Sequence, residues 1–190
     1  QVSTPMETNF NSTKVDTEAT DYVKPAYDFQ SANGSQLWHA RTSRSDVKTA
    51  VTFLCAHGAN FSEYLVDCSK RIFRYFISTI DDQVLRYNRD PDFDPLNIPV
   101  YIFSDSSWAD DKLKRRSTIG YQAYLAHNPI SSSVKIHPTP LLSTVEAEYV
   151  AQVHAAKEGL FLQNLFSEFP SDIIKLSPSI DIIGDINIGA

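Results

Sequence analysis

The longest regular pattern in the chain runs from Ser143 to Phe169. Pro is absent there, Gly occurs once, and Leu160, Leu165 and Phe166 fall among the apolar positions of a partly buried helix. Ser143, with Glu146 three residues on, has the spacing of a capping pair, so the pattern predicts a helix of about seven turns starting there. Shorter helical patterns cover Ser35–Arg41, Ser45–Cys55 (Val47, Val51 and Leu54 on one side) and Ser62–Ile77, where Leu65, Cys68, Ile72, Phe73 and Phe76 keep helical spacing. Apolar runs predict strands at 99–105, 118–126 and 180–185, a weaker one at 134–142 and a short one at Gln83–Tyr87. Pro138 and Pro140 cannot donate to a sheet ladder, which places the weaker strand at an edge or distorts it.

These elements divide the chain into an extended connector (1–24), a small helical segment (25–87), a linker (88–98) and a second domain (99–190). The boundary is drawn at Asn88–Pro95, where two prolines and several acids replace the periodic patterns. Strand, strand, strand, helix, strand in the second part describes a mixed α/β (α+β) unit with an antiparallel meander and one parallel crossover.

Composition narrows this reading. A chain of 190 residues that is 42% hydrophobic can bury a real core, and a net charge of −6 argues against holding nucleic acid by bulk electrostatics, so any such contact must be local. Cys55 and Cys68 are too few for a disulfide framework or a zinc site and read as reduced helix thiols in an intracellular setting. No run approaches the ~18 consecutive apolar residues of a membrane span, and the start of the chain has neither the basic residues nor the apolar core of a leader. Gln1 begins the chain and Met6 is its only Met, as expected of an excised piece of something longer.

The candidate chemistry is carried by acids. Val100–Asp105 and Ile180–Asp185 are each apolar until they deliver a carboxylate, and the long helix offers Glu146 and Glu148 in its first turns. At ~100° per residue these two glutamates point to nearly opposite sides, so only one faces a shared site. Carboxylates brought together from two strands and a helix suit a hard divalent cation such as Mg²⁺.

The words around these acids are specific. SDSSWADD (104–111), RRSTIGY (115–121), PIS (129–131) and STVEAEYVA (143–151) resemble, in order and spacing, the ribonuclease H domain of copia-type (Pseudoviridae) retrotransposon Pol polyproteins, which reads SDADWAGD, RRSTSGY, PISW, SSTEAEYIA and then a strand ending in CDN. The resemblance implies a ribonuclease H-like mixed sheet with a long helix. It carries Asp105, Glu148 and Asp185 into the catalytic and metal-binding acid positions and selects Glu148 over Glu146, although Ile186 replaces the Asn that follows the last acid. The implied activity is hydrolysis of RNA in RNA–DNA hybrids with Mg²⁺ or Mn²⁺, using one cation to activate water and a second to stabilise the leaving 3′ oxygen. The implied partners are the hybrid and the remainder of Pol, with no membrane, in cytoplasmic virus-like particles or the nucleus.

The first part of the chain resembles the end of the reverse transcriptase in the same family. Thr4-Pro5-Met6 matches the TPM or TPL word closing the palm, and KRIFRYF (70–76) matches the AKRILRYLKGT word of the thumb and connection. Thr42-Ser43-Arg44-Ser45-Asp46-Val47 departs from TRPDIAYAV by gaining a residue and losing the Pro, and Leu65 stands where a His is common. Lys70, Arg71 and Arg74 are then candidates for phosphate contact, as are Lys112, Lys114, Arg115 and Arg116 in the loop before the second strand. Solvated basic surfaces account for both groups equally simply.

The family fold continues with a helix, a fifth strand and a last helix bearing a fourth acid. This sequence ends at Ala190 without them, so the ribonuclease H-like part is expected to be truncated after its fourth strand and weak or inactive alone. Asp110 and Asp111 read as solvated turn acids, Trp108 as a core anchor, and His127, His137 and His154 as histidines without ligand spacing. Two functional readings stay open: a metal-dependent nuclease completed by further chain, and a degenerate, non-catalytic remnant retaining a partial fold. An isolated nucleic-acid-binding module is disfavoured by the acidic balance.

Overall fold

The computed structural model describes residues 2–7, 10, 22–59, 61–111 and 114–184. The chain divides into two compact units, one of residues 1–85 with 111–113 and one of 86–110 with 114–190.

The first unit is built on three helices: α1 (Phe29–Thr42), α2 (Lys48–Ala56), which follows a 3₁₀ turn at Ser45–Val47, and α3 (Glu63–Ser78). Asp28 starts α1 by accepting from the Ser31 amide, nearly two turns earlier than the pattern at Ser35–Arg41 indicates. Asn33 and Gly34 weaken the helical signal there, yet tertiary contacts override propensity. Phe29 is buried and stacks on Phe61 with ring centres 4.4 Å apart. Gln36 donates from Nε2 to the Ser69 carbonyl at 2.9 Å, and Ser69 Oγ donates to Asn33 Oδ1 at 3.0 Å, so a buried polar pair ties α1 to α3. Ser62 caps α3, whose Leu65, Ile72 and Tyr75 join Val47, Val51 and Leu54 in one apolar core.

Two segments differ from the sequence expectation. Val2, Met6 and Phe10, expected in an exposed connector, pack against this core, and Ser78 Oγ donates to the Val2 carbonyl. Residues 83–87 form no strand. Val84, Leu85 and Tyr87 are exposed, and without a neighbouring strand to complete a ladder their β propensity has nothing to act on.

The second unit is a four-stranded sheet in the order β3-β2-β1-β4, made of β1 (Ile98–Asp111), β2 (Arg116–Leu125), β3 (Asn128–Pro140) and β4 (Leu176–Gly184), with α4 (Thr144–Ser167) packed on it. β1 and β4 are parallel, from Val100↔Ile180 to Ser104↔Gly184. β2 and β3 are antiparallel and meet at Ala126 and His127, whose φ values of 45° and 64° are those of a tight type I′ hairpin turn. β3 is an outer strand carrying Pro129, Pro138 and Pro140, and its register shifts near Pro140, as the missing N–H groups require. It begins at Asn128 rather than 134, because the hairpin turn sets its start.

Ser143 Oγ accepts from the Glu146 amide and so begins α4 where the sequence indicates. Ala147, Ala151, Ala155 and Gly159 recur every fourth residue as a buried stripe of small side chains, which lets the helix lie close to the sheet. A Cβ on Gly159 would sit 3.5 Å from Ile102 Cδ1 and from Ile180. Ile98, Val100, Ile102, Ala123 and Leu162 complete a second core.

β1 also runs further than its apolar stretch. Asp110 and Asp111, expected in a solvated turn, lie on the strand, and Asp111 is only 8% exposed. Trp108 is likewise on the strand and 40% exposed; instead of anchoring the core it donates from Nε1 to the Leu141 carbonyl at 2.9 Å. The extension is held by hairpin pairing, with the Ala109 amide donating to Ser117 Oγ, and hydrophobicity alone does not report that.

Candidate functional site

Alternation along β1 decides what reaches α4. Val100, Ile102 and Ser104 are buried, whereas Phe103 and Asp105 are exposed. Side chains two residues apart share a face, so Ser104 and Ser106 belong to the side against α4 and Asp105 to the other.

The helix supplies Glu148 to this place. Its Oε1 accepts from Ser106 Oγ at 2.7 Å, while its Oε2 is buried and has no hydrogen-bond partner among the described residues. Ser104, 6% exposed, has a hydroxyl with no partner there either. Gln152, one helical turn beyond Glu148, reaches the same spot: a Cβ on Gly184 would lie 2.8 Å from both Ser104 Oγ and Gln152 Nε2. The absence of a side chain at Gly184, at the end of β4, leaves room for both polar groups. Glu146 turns elsewhere, its Oε2 accepting from the Leu142 amide beside the helix start.

Of the three acids the sequence singles out, Glu148 sits among these buried polar groups, Asp105 is on β1 with its side chain on the opposite face, and Asp185 lies outside the described residues. No three His, Cys, Asp or Glu side chains converge as a metal-ion cluster among the described residues. A buried carboxylate oxygen left without a donor is nevertheless what a cation ligand looks like before its ion is bound. One carboxylate oxygen, with hydroxyls and an amide beside it, is a hard oxygen site that fits Mg²⁺ or Mn²⁺ bound through Glu148 with part of its water shell retained. Ser104, Ser106 and Gln152 escape a search for acids. The signal that finds them is period two from Ile102 along β1 and a spacing of four from Glu148 along α4.

The candidate phosphate contacts have partners of their own. Arg71 donates to the Thr4 carbonyl at 3.2 Å and pairs with Glu7 at 3.7 Å; Lys70 lies 4.0 Å from Asp67 and over the Tyr27 ring. Arg74 is exposed. Arg115 holds a left-handed φ of 53° and sets its guanidinium 5.5 Å from the centre of the Trp108 ring. Lys114 and Arg116 are both engaged in further interactions, and Lys112 lies outside the described residues.

A concavity of about 570 Å³ opens between the end of β3 and α4 and is lined by His137, Glu146, Tyr149, Val153, His154 and Lys157 among others. Burial, with Lys135, Lys157 and His137 adding positive charge nearby, pulls the His154 imidazole below its ordinary pKa.

Among known proteins, the chain is 32% identical over 159 residues to an uncharacterized mitochondrial protein of Arabidopsis thaliana, matching 83% of this chain and 61% of that protein. It is 30% identical over 172 residues to the retrovirus-related Pol polyprotein from transposon RE1 of the same plant, covering 88% of this chain and 11% of the polyprotein. It is also 30% identical over 134 residues to secreted RxLR effector protein 161 of Plasmopara viticola, covering 70% of this chain and 90% of that protein. The chain thus spans about three fifths of the first relative and about a tenth of the polyprotein. No protein-family model matches the chain, and no solved structure matches it significantly.

Proposed function

The chain belongs to the copia-type family of retrovirus-related Pol polyproteins, and on that premise we propose that its second unit is a ribonuclease H-like module acting on the RNA strand of RNA–DNA hybrids. The first unit is then the end of the adjoining reverse transcriptase. The observation that carries the reading is the buried Oε2 of Glu148, which has no hydrogen-bond partner among the described residues, on the helix facing the ends of β1 and β4.

Glu148 would hold a divalent cation, with the family's next acid position falling on Asp185, outside the described residues; Asp105, on the opposite face of β1, stands apart from Glu148. Bound Mg²⁺ or Mn²⁺ supplies water activation and charge neutralisation at the leaving oxygen. The chain's own part is positional. Ser106 fixes one oxygen of Glu148 and so aims the other, while the small-residue stripe of α4 fixes the distance from helix to sheet. Hydrolysis of a labelled hybrid in Mn²⁺ tests the proposal. Cleavage of the RNA strand that is lost in Glu148→Gln, with duplex DNA untouched, is expected; cleavage indifferent to that substitution overturns it.

A second reading has its own observation. Asp105 occupies the face of β1 opposite Ser104 and Ser106, which favours a module that keeps the fold and one cation ligand without the chemistry. Binding of a divalent cation with no cleavage of any hybrid selects this reading.

On either reading the segment is expected to act beside the rest of a Pol polyprotein, since its Pol relative is far longer than the match. No helix among the described residues is long and apolar enough to cross a membrane. The site of action proposed is the cytoplasmic particle or the nucleus in which such an element is copied.

A further inference from the structure

We infer that Ser106 is a positioning residue for cation binding at Glu148, and that Ser104 and Gln152 form an outer shell that holds the cation's waters. The inference rests on the reading of Glu148 as a cation ligand and deepens it. A carboxylate on a helix surface ordinarily turns freely about its last torsion. Here the Ser106 hydroxyl donates to Oε1 at 2.7 Å and occupies that oxygen, so the buried Oε2 is the atom left for a cation. Hydroxyl donation to a charged acceptor is strong enough to set the orientation.

The neighbouring polar groups complete the argument. Ser104 Oγ is buried and without a hydrogen-bond partner among the described residues, and Ser104 lies two residues before Ser106 on the same face of β1. Gln152 Nε2 and Ser104 Oγ both lie 2.8 Å from where a Cβ on Gly184 would stand, so the missing side chain is what lets the two polar groups come in. Mg²⁺ and Mn²⁺ bound through one or two carboxylates keep several waters, and those waters need acceptors and donors at their outer side. Two hydroxyls and a primary amide supply both. The Pol family word quoted above, SDADWAGD, has Ala where this chain has Ser106, so the device belongs to this chain's own residues.

The test uses the full chain and Mn²⁺ alone, with affinity read from the electron paramagnetic resonance of free Mn²⁺ and folding from the thermal melt. Ser106→Ala is expected to weaken Mn²⁺ about 10-fold or more at an unchanged melting temperature, and Ser106→Thr, which keeps the hydroxyl, to restore it. Gly184→Ala, which pushes a methyl against Ser104 and Gln152, is expected to weaken Mn²⁺ as well. Glu148→Gln sets the floor. If Glu148→Gln abolishes binding and Ser106→Ala matches the unsubstituted chain, the inference about Ser106 is wrong while the ligand reading stands. If the unsubstituted chain binds no Mn²⁺, or Glu148→Gln leaves binding intact, the ligand reading fails and takes this inference with it.

Discussion

Arg44 and Asp46, two residues apart, close on each other through both prongs: Nε to Oδ1 at 3.0 Å and Nη2 to Oδ2 at 2.9 Å. The same Nη2 donates to Thr79 Oγ1 at 2.8 Å, and the guanidinium lies 5.0 Å from the centre of the Phe76 ring and 5.3 Å from that of Tyr75. Hydrogen bonding to Asp46 holds the Arg44 pKa above its ordinary value. The pair therefore clamps the turn before α2 to the end of α3. Asp46→Ala should lower the stability of the first unit by about 2–3 kcal/mol, because it strands a cation that is 9% exposed. Arg44→Lys should not substitute, since an ammonium lacks the fork and the flat face. Urea unfolding of the three proteins checks both.

His154 gives the second unit a pH dependence. Burial, then Lys135, Lys157 and His137, depress its folded pKa, and Glu146 is the acid lining the same concavity. With the folded value below the unfolded one of about 6.5, the unfolded chain takes up the proton first as pH falls. This contribution to stability is complete above the unfolded pKa and is lost as pH drops from there toward the folded value. The urea midpoint of the second unit should fall between pH 7.5 and 5.5, and His154→Gln should flatten the fall.

Gly159 sits inside α4 at a point where a methyl group meets Ile102 and Ile180 at 3.5 Å, an ordinary van der Waals distance. Gly159→Ala should stabilise the second unit by about 0.5–1 kcal/mol through helix propensity and a smaller unfolded-state entropy. Gly159→Leu should instead destabilise it by forcing α4 off the sheet. Thermal melts separate the two outcomes.

The segment after α3 should be the first to yield to trypsin. Residues 81–87 are exposed and in no helix or strand, so Arg86 is the expected first cut. Arg89 is better guarded. The Asn88 amide donates to Asn128 Oδ1 at 2.7 Å, and Asn128 Nδ2 returns a bond to the Asn88 carbonyl at 3.1 Å, as a strand neighbour would. Asn128→Ala should expose Arg89 to cleavage at a rate close to that at Arg86, as read by mass spectrometry of the fragments.

The elements that announce themselves in the sequence are those whose burial is periodic. α4 is capped where Ser143 and Glu146 indicate, and β1 and β4 lie under the apolar runs that end at Asp105 and Asp185. α1 is half hidden because a buried polar contact, Gln36 with Ser69, replaces the apolar stripe that pattern reading depends on. The strand expected at 83–87 shows the reverse failure, since strand-forming residues do not make a strand without a neighbour. At the candidate site, an acid search finds Glu148 but passes over Ser106, whose importance comes from facing and distance rather than from its own reactivity. The same alternation that hides Ser106 sets Asp105 on the other face, a fact that a motif read as a string of letters does not contain.

The two apolar cores share no residue: one is made by Phe29, Leu54, Leu65, Ile72 and their neighbours, the other by Ile98, Ile102, Ala123 and Leu162. In a calorimeter the chain is therefore not a single cooperative object, and its heat-absorption trace should resolve into two transitions, with a van't Hoff enthalpy below the calorimetric one. Damage to Leu54 moves one transition and damage to Ile102 the other, so each reports its own half of the chain.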